Sequence, residues 1–348
     1  MSVKTALLGY PRIGLNRELK KATEAFWKGD LSREKLEEIG SQIRRENWLL
    51  EKSSGIDFIP SNDFSFYDQV LDMTCLLGLV PDRFQWKGGY VDLDTFFDMA
   101  RGVQEKEGVV GKTVSAMEMT KWFDTNYHYI VPEFHKGQRF QLSSDKPVRE
   151  FKEALALGIK TRPVFIGPVT FLKLGKKKED NFSVYDLLDP LLDIYAEVLN
   201  QLKSEGAEWV QIDEPVLVTE LDAEAQAAFK KAYEVISKKV SGLSIMLTTY
   251  FGRLAENLPL AASLPVRGIH VDLVRAPDQL EEVLQSVPQD KALSLGVVDG
   301  RNIWRSNLKS ILKRIEPAVK TGKENLILAS SCSLLHVPLD LEAEKALD

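Results

Sequence analysis

Residues 209–215 read WVQIDEP, a short apolar strand that runs straight into two carboxylates and a proline. Trp209, Val210 and Ile212 have the composition of a strand in a buried parallel sheet. Asp213 and Glu214 fall where that strand ends, and Pro215 stops the ladder because it has no N–H to give. In α/β folds, strand ends and the loops after them carry the chemistry. The motif therefore points to a fold class and to the rim of that fold to search.

Seven further runs share this character: TALLG (5–9), IDFIP (56–60), RPVFIGP (162–168), LSIMLTTY (243–250), GIHVDLV (268–274), ALSLGVV (292–298) and LILASS (326–331). Many are apolar almost throughout, as parallel strands covered on both faces are. Amphipathic segments alternate with them, at 16–28, 32–53, 67–79, 147–158, 184–205, 222–239, 253–262, 277–286 and 305–320. Eight alternating units predict a (β/α)8 TIM barrel, with a doubly wound open sheet as the alternative.

Two stretches break the rhythm. Residues 30–53 add a long charged helix after the first unit, with Ser32 at its start and Lys35 where a capping box has Glu or Gln. Residues 80–146 form a long insertion between the second and third strands, within which 103–116 is the segment expected to be disordered. No Pro/Ser linker divides the chain, so 1–348 is expected to be one barrel domain. The closing LDLEAEKALD reads as a helix cut off mid-pattern, the mark of a fragment.

The chain has 348 residues, 44% of them hydrophobic, and a net charge of −6. That charge argues against nucleic acid as a partner. No apolar run has the length of a membrane span. Two distant cysteines, Cys75 and Cys332, suggest no disulfide scaffold, so the cytoplasm is the expected compartment.

Several motifs could carry chemistry. After the first strand, GYPRIGLNRELKKA (9–22) sets Arg12, Arg17, Lys20 and Lys21 around a helix start, an arrangement suited to carboxylates or phosphates. A solvated basic face balanced by Glu18 and Glu24 is the plainer reading. PSNDFSFYD (60–68) offers Asn62, Asp63 and Tyr67 to the barrel mouth, although Asn62 and Asp63 also suit the cap of the next helix, Asp63 above all. In EMTKWFDTNYHY (118–129), Lys121 stands beside Trp122, Phe123 and Tyr127, a setting for a flat anionic ligand or simply a surface hairpin packed on the barrel. Gly167, Pro168 and Thr170 resemble a tight turn after the third strand.

Asp213 and Glu214 could act as general acid and base. Adjacent strand residues point to opposite faces, which weakens that pairing. His270 and Asp272 have the spacing to face inward together. Cys332 and His336 lie near the rim, but the two cysteines and four histidines form no zinc-binding pattern.

Taken in order, GYPRIGLNRELKKA, FYDQVLD, EMTKWFDTNYHYIVPEF, IGPVTFL, WVQIDEPVL, LTTYF, HVDLV, DGRNIWR and ASSCSLLH resemble the N-terminal half of the cobalamin-independent methionine synthases, over essentially the whole chain. The resemblance implies two barrels facing one another. The C-terminal catalytic barrel holds zinc and homocysteine, and a methyl group passes from 5-methyltetrahydropteroyltriglutamate to the zinc-bound thiolate without cobalamin. The N-terminal barrel contributes to the folate site. The positions associated with the folate polyglutamate tail are here Asn16, Arg17, Glu18, Leu19, Lys20 and Lys121. Asn62, Trp122, Asp213, Glu214 and Asp272 are candidates for the barrel mouth.

The departures from the family pattern concern the metal. Where the catalytic half carries His-x-Cys, this chain has Leu247 and Thr249, and its second strand ends in PSNDF rather than a Glu-bearing motif. Cys332 alone makes no zinc site. The expectation is a barrel without zinc or another cofactor, binding triglutamyl methyltetrahydrofolate, partnered by the C-terminal barrel and inactive alone. Two other readings remain: a barrel that only props the catalytic domain, and a self-sufficient hydrolase using Asp213 or Glu214.

Overall fold

The structure is a computed structural model that describes residues 3–103, 113–323 and 325–340. Of the segment expected to be disordered, 104–112 lie outside the described residues, as do 341–348 of the closing helical pattern.

Eight parallel strands form one sheet: β1 (Lys4–Ala6), β2 (Pro60–Ser61), β3 (Arg162–Ile166), β4 (Trp209–Asp213), β5 (Ser244–Thr248), β6 (Gly268–Asp272), β7 (Ala292–Val298) and β8 (Leu326–Ser330). Neighbours in the sheet run β1–β8–β7–β6–β5–β4–β3–β2. The ends meet: Ala6 bridges Phe58 in parallel, Leu7 N donates to Phe58 O (3.2 Å) and Phe58 N to Thr5 O (3.0 Å). The sheet is therefore a closed α/β barrel, and all eight strand runs read from the sequence take part in it. The second is shifted, since IDFIP contributes Phe58 to the closing bridge and the strand itself is Pro60–Ser61.

Alternation along each strand sorts the side chains. On β4, Val210 and Ile212 face the helices. Ile212 is in register with Phe165 and Leu247, and Leu247 with Ile269, all in the main hydrophobic core. Helices α7 (Leu188–Ser204) and α8 (Ala223–Lys239) cover this layer with Leu191, Leu199, Phe229 and Tyr233. Gln211 and Asp213 face the opposite way, into the barrel, where Asp213, Thr248, His270 and Ser294 stand in register on consecutive strands.

The expected charged helix is α2 (Arg33–Ser53), capped by Ser32 Oγ, which accepts from Lys35 N (3.3 Å). It packs beside α1 (Glu18–Lys28). The described part of the insertion packs on α3 (Gln69–Leu76) with α4 (Leu93–Arg101) and an antiparallel hairpin, Met119–Lys121 with His128–Ile130. α4 follows an Asp92 cap and buries Phe96 and Phe97, a helix that the loop-like reading of 80–146 passed over. The chain enters the sheet again at β3 after α5 (Lys146–Ala156).

Candidate functional site

The barrel mouth is closed by side chains. The hairpin lays Phe123 against Phe251 (centroids 5.9 Å apart) and Tyr127 against His336 (6.0 Å), while Phe251 also meets Tyr250 (4.6 Å) and His336 (5.6 Å). Trp122 is the anchor of the hairpin. It is wholly buried, edge-on to Phe123 and Tyr129. That corrects the reading of Trp122 as a ligand-facing residue: its ring belongs to the core.

The carboxylates proposed for the mouth lie beneath this cover and hold backbone and side chains in place. Asp213 Oδ1 accepts from Gln211 Nε2 (2.8 Å) and Oδ2 from the Tyr250 hydroxyl (3.1 Å). Gln211 in turn accepts from Arg162 Nη2 (2.8 Å) and donates to Leu8 O (3.0 Å), so one polar chain crosses the barrel interior. Burial pushes Asp213 up to about 7, although hydrogen bonds from Gln211 and Tyr250 and the charge of Arg162 pull it down.

Glu214 points the other way, toward the helices. It accepts from Val169 N (3.3 Å), Thr170 N (2.8 Å) and the Tyr233 hydroxyl (3.2 Å), and burial raises it to about 7. The two carboxyls of IDEP are thus on opposite faces of β4, and Glu214 is not a mouth residue. The geometry provides no acid–base pair.

Asp272 is buried at the end of β6. Its Oδ1 accepts from Val274 N and Arg275 N (both 2.9 Å) and its Oδ2 from Phe251 N (3.0 Å). Asn62, half-buried at φ 61°, donates to Val164 O (2.7 Å) and accepts from Lys146 Nζ (2.9 Å), beside a cavity lined by Asp72, Lys146 and Val164. It caps no helix. Nor does Asp63, whose Oδ2 accepts from Tyr10 N (2.8 Å) and joins the loops after β1 and β2. The cap of α3 is Asp68, accepting from Val70 N (2.7 Å) and Leu71 N (3.2 Å). The sequence signal was present: Asp68, not Asp63, directly precedes the helical run QVLDM.

His270 is fully buried, with Nδ1 2.8 Å from Ser294 Oγ and Nε2 3.4 Å from Ser331 O, and burial pulls it down to about 3. It is a neutral core histidine. The zinc ligation implied for the family's other half finds no match in the residues present. Leu247 lies in the apolar layer, Thr249 Oγ1 donates to His270 O (2.9 Å), and burial pushes the Cys332 thiol up to about 12. Among the described residues, no three His, Cys, Asp or Glu side chains converge to hold a metal ion.

Three of the cations singled out in the sequence lie exposed outside the barrel. Arg17 is exposed at φ 63° as the residue before α1, Lys20 is exposed and 3.7 Å from Glu24, and Lys121 is exposed on the hairpin opposite His128. Asn16 and Glu18 pair with each other, Nδ2 to Oε1 at 3.0 Å and backbone N to Oε2 at 2.9 Å, which fixes the turn before the helix. Leu19 is buried against Ile43 and Phe64, and its N–H is taken by Ile13 O (3.2 Å), so its part is to seat the helix. The loop and the hairpin are neighbours: the Arg12 guanidinium lies 5.7 Å from the Tyr127 ring centre.

The sequence matches the family model described as "Cobalamin-independent synthase, N-terminal domain" over residues 4–323. The chain belongs to this family. It is 54% identical to the 5-methyltetrahydropteroyltriglutamate–homocysteine methyltransferase of Chelativorans sp. (strain BNC1), over 99% of this chain and 45% of that protein. Against the same-named protein of Salinibacter ruber (strain DSM 13855 / M31) the figures are 52%, 98% and 44%. The chain therefore spans about half the length of the curated relatives it matches. Its fold is similar to that of a B12-independent methionine synthase from Shewanella sp. W3-18-1 in complex with selenomethionine, with a TM-score of 0.70 at 14% identity, covering 97% of this chain and 93% of the other. At that identity the likeness speaks to the barrel alone.

Proposed function

We propose that this member of the cobalamin-independent synthase N-terminal domain family is the folate-polyglutamate-binding half of a methyltransferase. The whole protein moves a methyl group from 5-methyltetrahydropteroyltriglutamate to homocysteine and makes methionine. A second, C-terminal barrel is its partner and supplies the zinc-bound thiolate chemistry. The observation that carries this reading is the placement of the cations. Arg17, Lys20 and Lys121 stay exposed on two neighbouring elements, while Asp213, Glu214 and Asp272 are buried. Cations at a helix start and on a rigid hairpin suit the row of carboxylates in a polyglutamate tail. Work in the cytoplasm accords with two free, buried cysteines.

Alone, the chain is expected to transfer no methyl group, because among the described residues no group of His, Cys, Asp or Glu side chains could hold the thiol-activating zinc. The test is methionine formation from 5-methyltetrahydropteroyltriglutamate and homocysteine, by the 348-residue chain alone and with the remaining half of a relative supplied in trans. Product only in the mixture is the expected result. Methionine made by the chain alone would overturn the division of labour.

A further inference from the structure

Two motifs beside the mouth play no part in the function proposed above: HVDLVR (270–275) and DGRNIWR (299–305). Both end on the hairpin. Asp124, at its tip, accepts from Arg301 Nη1 through Oδ1 (2.7 Å), from Arg275 Nη2 through Oδ2 (3.0 Å) and from Arg301 Nη2 through its backbone carbonyl (3.0 Å). The insertion after β2 is thus gripped by the loops after β6 and β7.

Neither arginine is presented by a slack loop. Asp272 accepts the N–H groups of Val274 and Arg275, and Asp299 Oδ1 accepts that of Arg301 (2.8 Å). The Arg301 guanidinium also lies 5.1 Å from the Phe251 ring centre, and Phe251 packs on Phe123, the residue before Asp124. Phe123 and Phe251 have φ of 51° and 75°. Side chains with a Cβ keep that conformation only where their surroundings fix it. Buried Asp272 and half-buried Asp299 therefore have a use: they aim two cations at one exposed anion.

We propose that Asp124, Arg275 and Arg301 are positioning residues, a latch that fixes the hairpin across the mouth and with it Lys121. The inference rests on the reading of Lys121 as a polyglutamate contact. A hairpin fixed beforehand spares the ligand the entropy of ordering it.

The test uses the 348-residue chain and the variants Asp124→Ala, Arg301→Ala, Lys121→Ala and the charge swap Asp124→Arg/Arg301→Asp. Pteroyltriglutamate is titrated into each at low salt, and amide exchange is followed over residues 119–130. Exposed pairs of this kind predict an affinity loss of about three- to fivefold in Asp124→Ala and Arg301→Ala. The same variants are expected to exchange faster in the hairpin, with partial recovery of both readouts in the swap, which leaves Arg275 facing a second cation. Lys121→Ala is expected to weaken binding with hairpin exchange unchanged. Unchanged exchange in Asp124→Ala and Arg301→Ala would overturn the latch. Faster exchange with undiminished affinity, while Lys121→Ala does weaken binding, would overturn its positioning role. If Lys121→Ala costs nothing, the polyglutamate reading itself is overturned, and exchange alone decides whether the latch exists.

Discussion

Asp213 and Glu214 are neighbours in the chain whose carboxyl groups lie on opposite faces of β4, one bonded to Tyr250 inside the barrel and the other to Tyr233 among the helices. The arrangement turns a conspicuous acidic pair into two separate structural anchors. Glu214 joins β4 to the start of α6 (Pro168–Leu174) and to α8. Replacing it by Ala leaves two N–H groups and a tyrosine hydroxyl without their partner, in a site that water does not reach. Chemical denaturation is expected to show a loss of about 2–4 kcal/mol.

Gly167 makes room for that carboxyl. A Cβ at 167 would stand 2.0 Å from Glu214 Cδ, and Glu214 cannot yield because three donors hold it. Gly167→Ala is expected to destabilise by about 1–3 kcal/mol. In the Glu214→Ala background the added methyl is expected to cost much less, because the clash is gone. A double-mutant cycle measures this coupling, and strict additivity would contradict it.

Trp122 separates core from ligand surface. Trp122→Ala is expected to cost about 3–5 kcal/mol in thermal or denaturant unfolding, as removal of a fully buried large side chain does. Its neighbour Lys121, exposed, is expected to leave the melting temperature unchanged when replaced by Ala.

Glu51 sets a pH dependence. It is 2% exposed, its Oε2 finds no partner among the described residues, and burial, helped by the charge of Asp63, pushes it up to about 9. The folded state therefore keeps a proton that the unfolded chain gives up near the ordinary glutamate value of about 4.5. Stability from this group is complete below that value and is lost as pH rises toward about 9. Glu51→Gln is expected to flatten that decline and to be the more stable form at pH 8. Melting temperatures from pH 5 to 8 check it; parallel curves for the two proteins would contradict the assignment.

The strands were legible because parallel strands buried on both faces have to be apolar along their length, and RPVFI and ALSLGVV can be little else. Alternation alone already separated Asp213 from Glu214. The burial of Trp122 was not legible, since an aromatic beside a lysine reads the same whether the ring faces a ligand or a core. Leu19 illustrates the same limit: its place in a binding motif says nothing about which way its side chain turns. The latch was beyond reach for another reason. Asp124 and its arginines lie 151 and 177 residues apart, and no local pattern links an exposed aspartate to partners at that distance.

In the proposed function, this chain receives a polyglutamate tail on exposed cations outside the barrel mouth. Calorimetric titration of pteroyltriglutamate into the chain, beside Arg17→Ala and Lys121→Ala, tests it most directly. Binding is expected to weaken as salt is raised and to fall about tenfold or more in the double variant Arg17→Ala/Lys121→Ala. No binding at millimolar ligand, or equal affinity in the double variant, would contradict it and leave the barrel as a support for its partner.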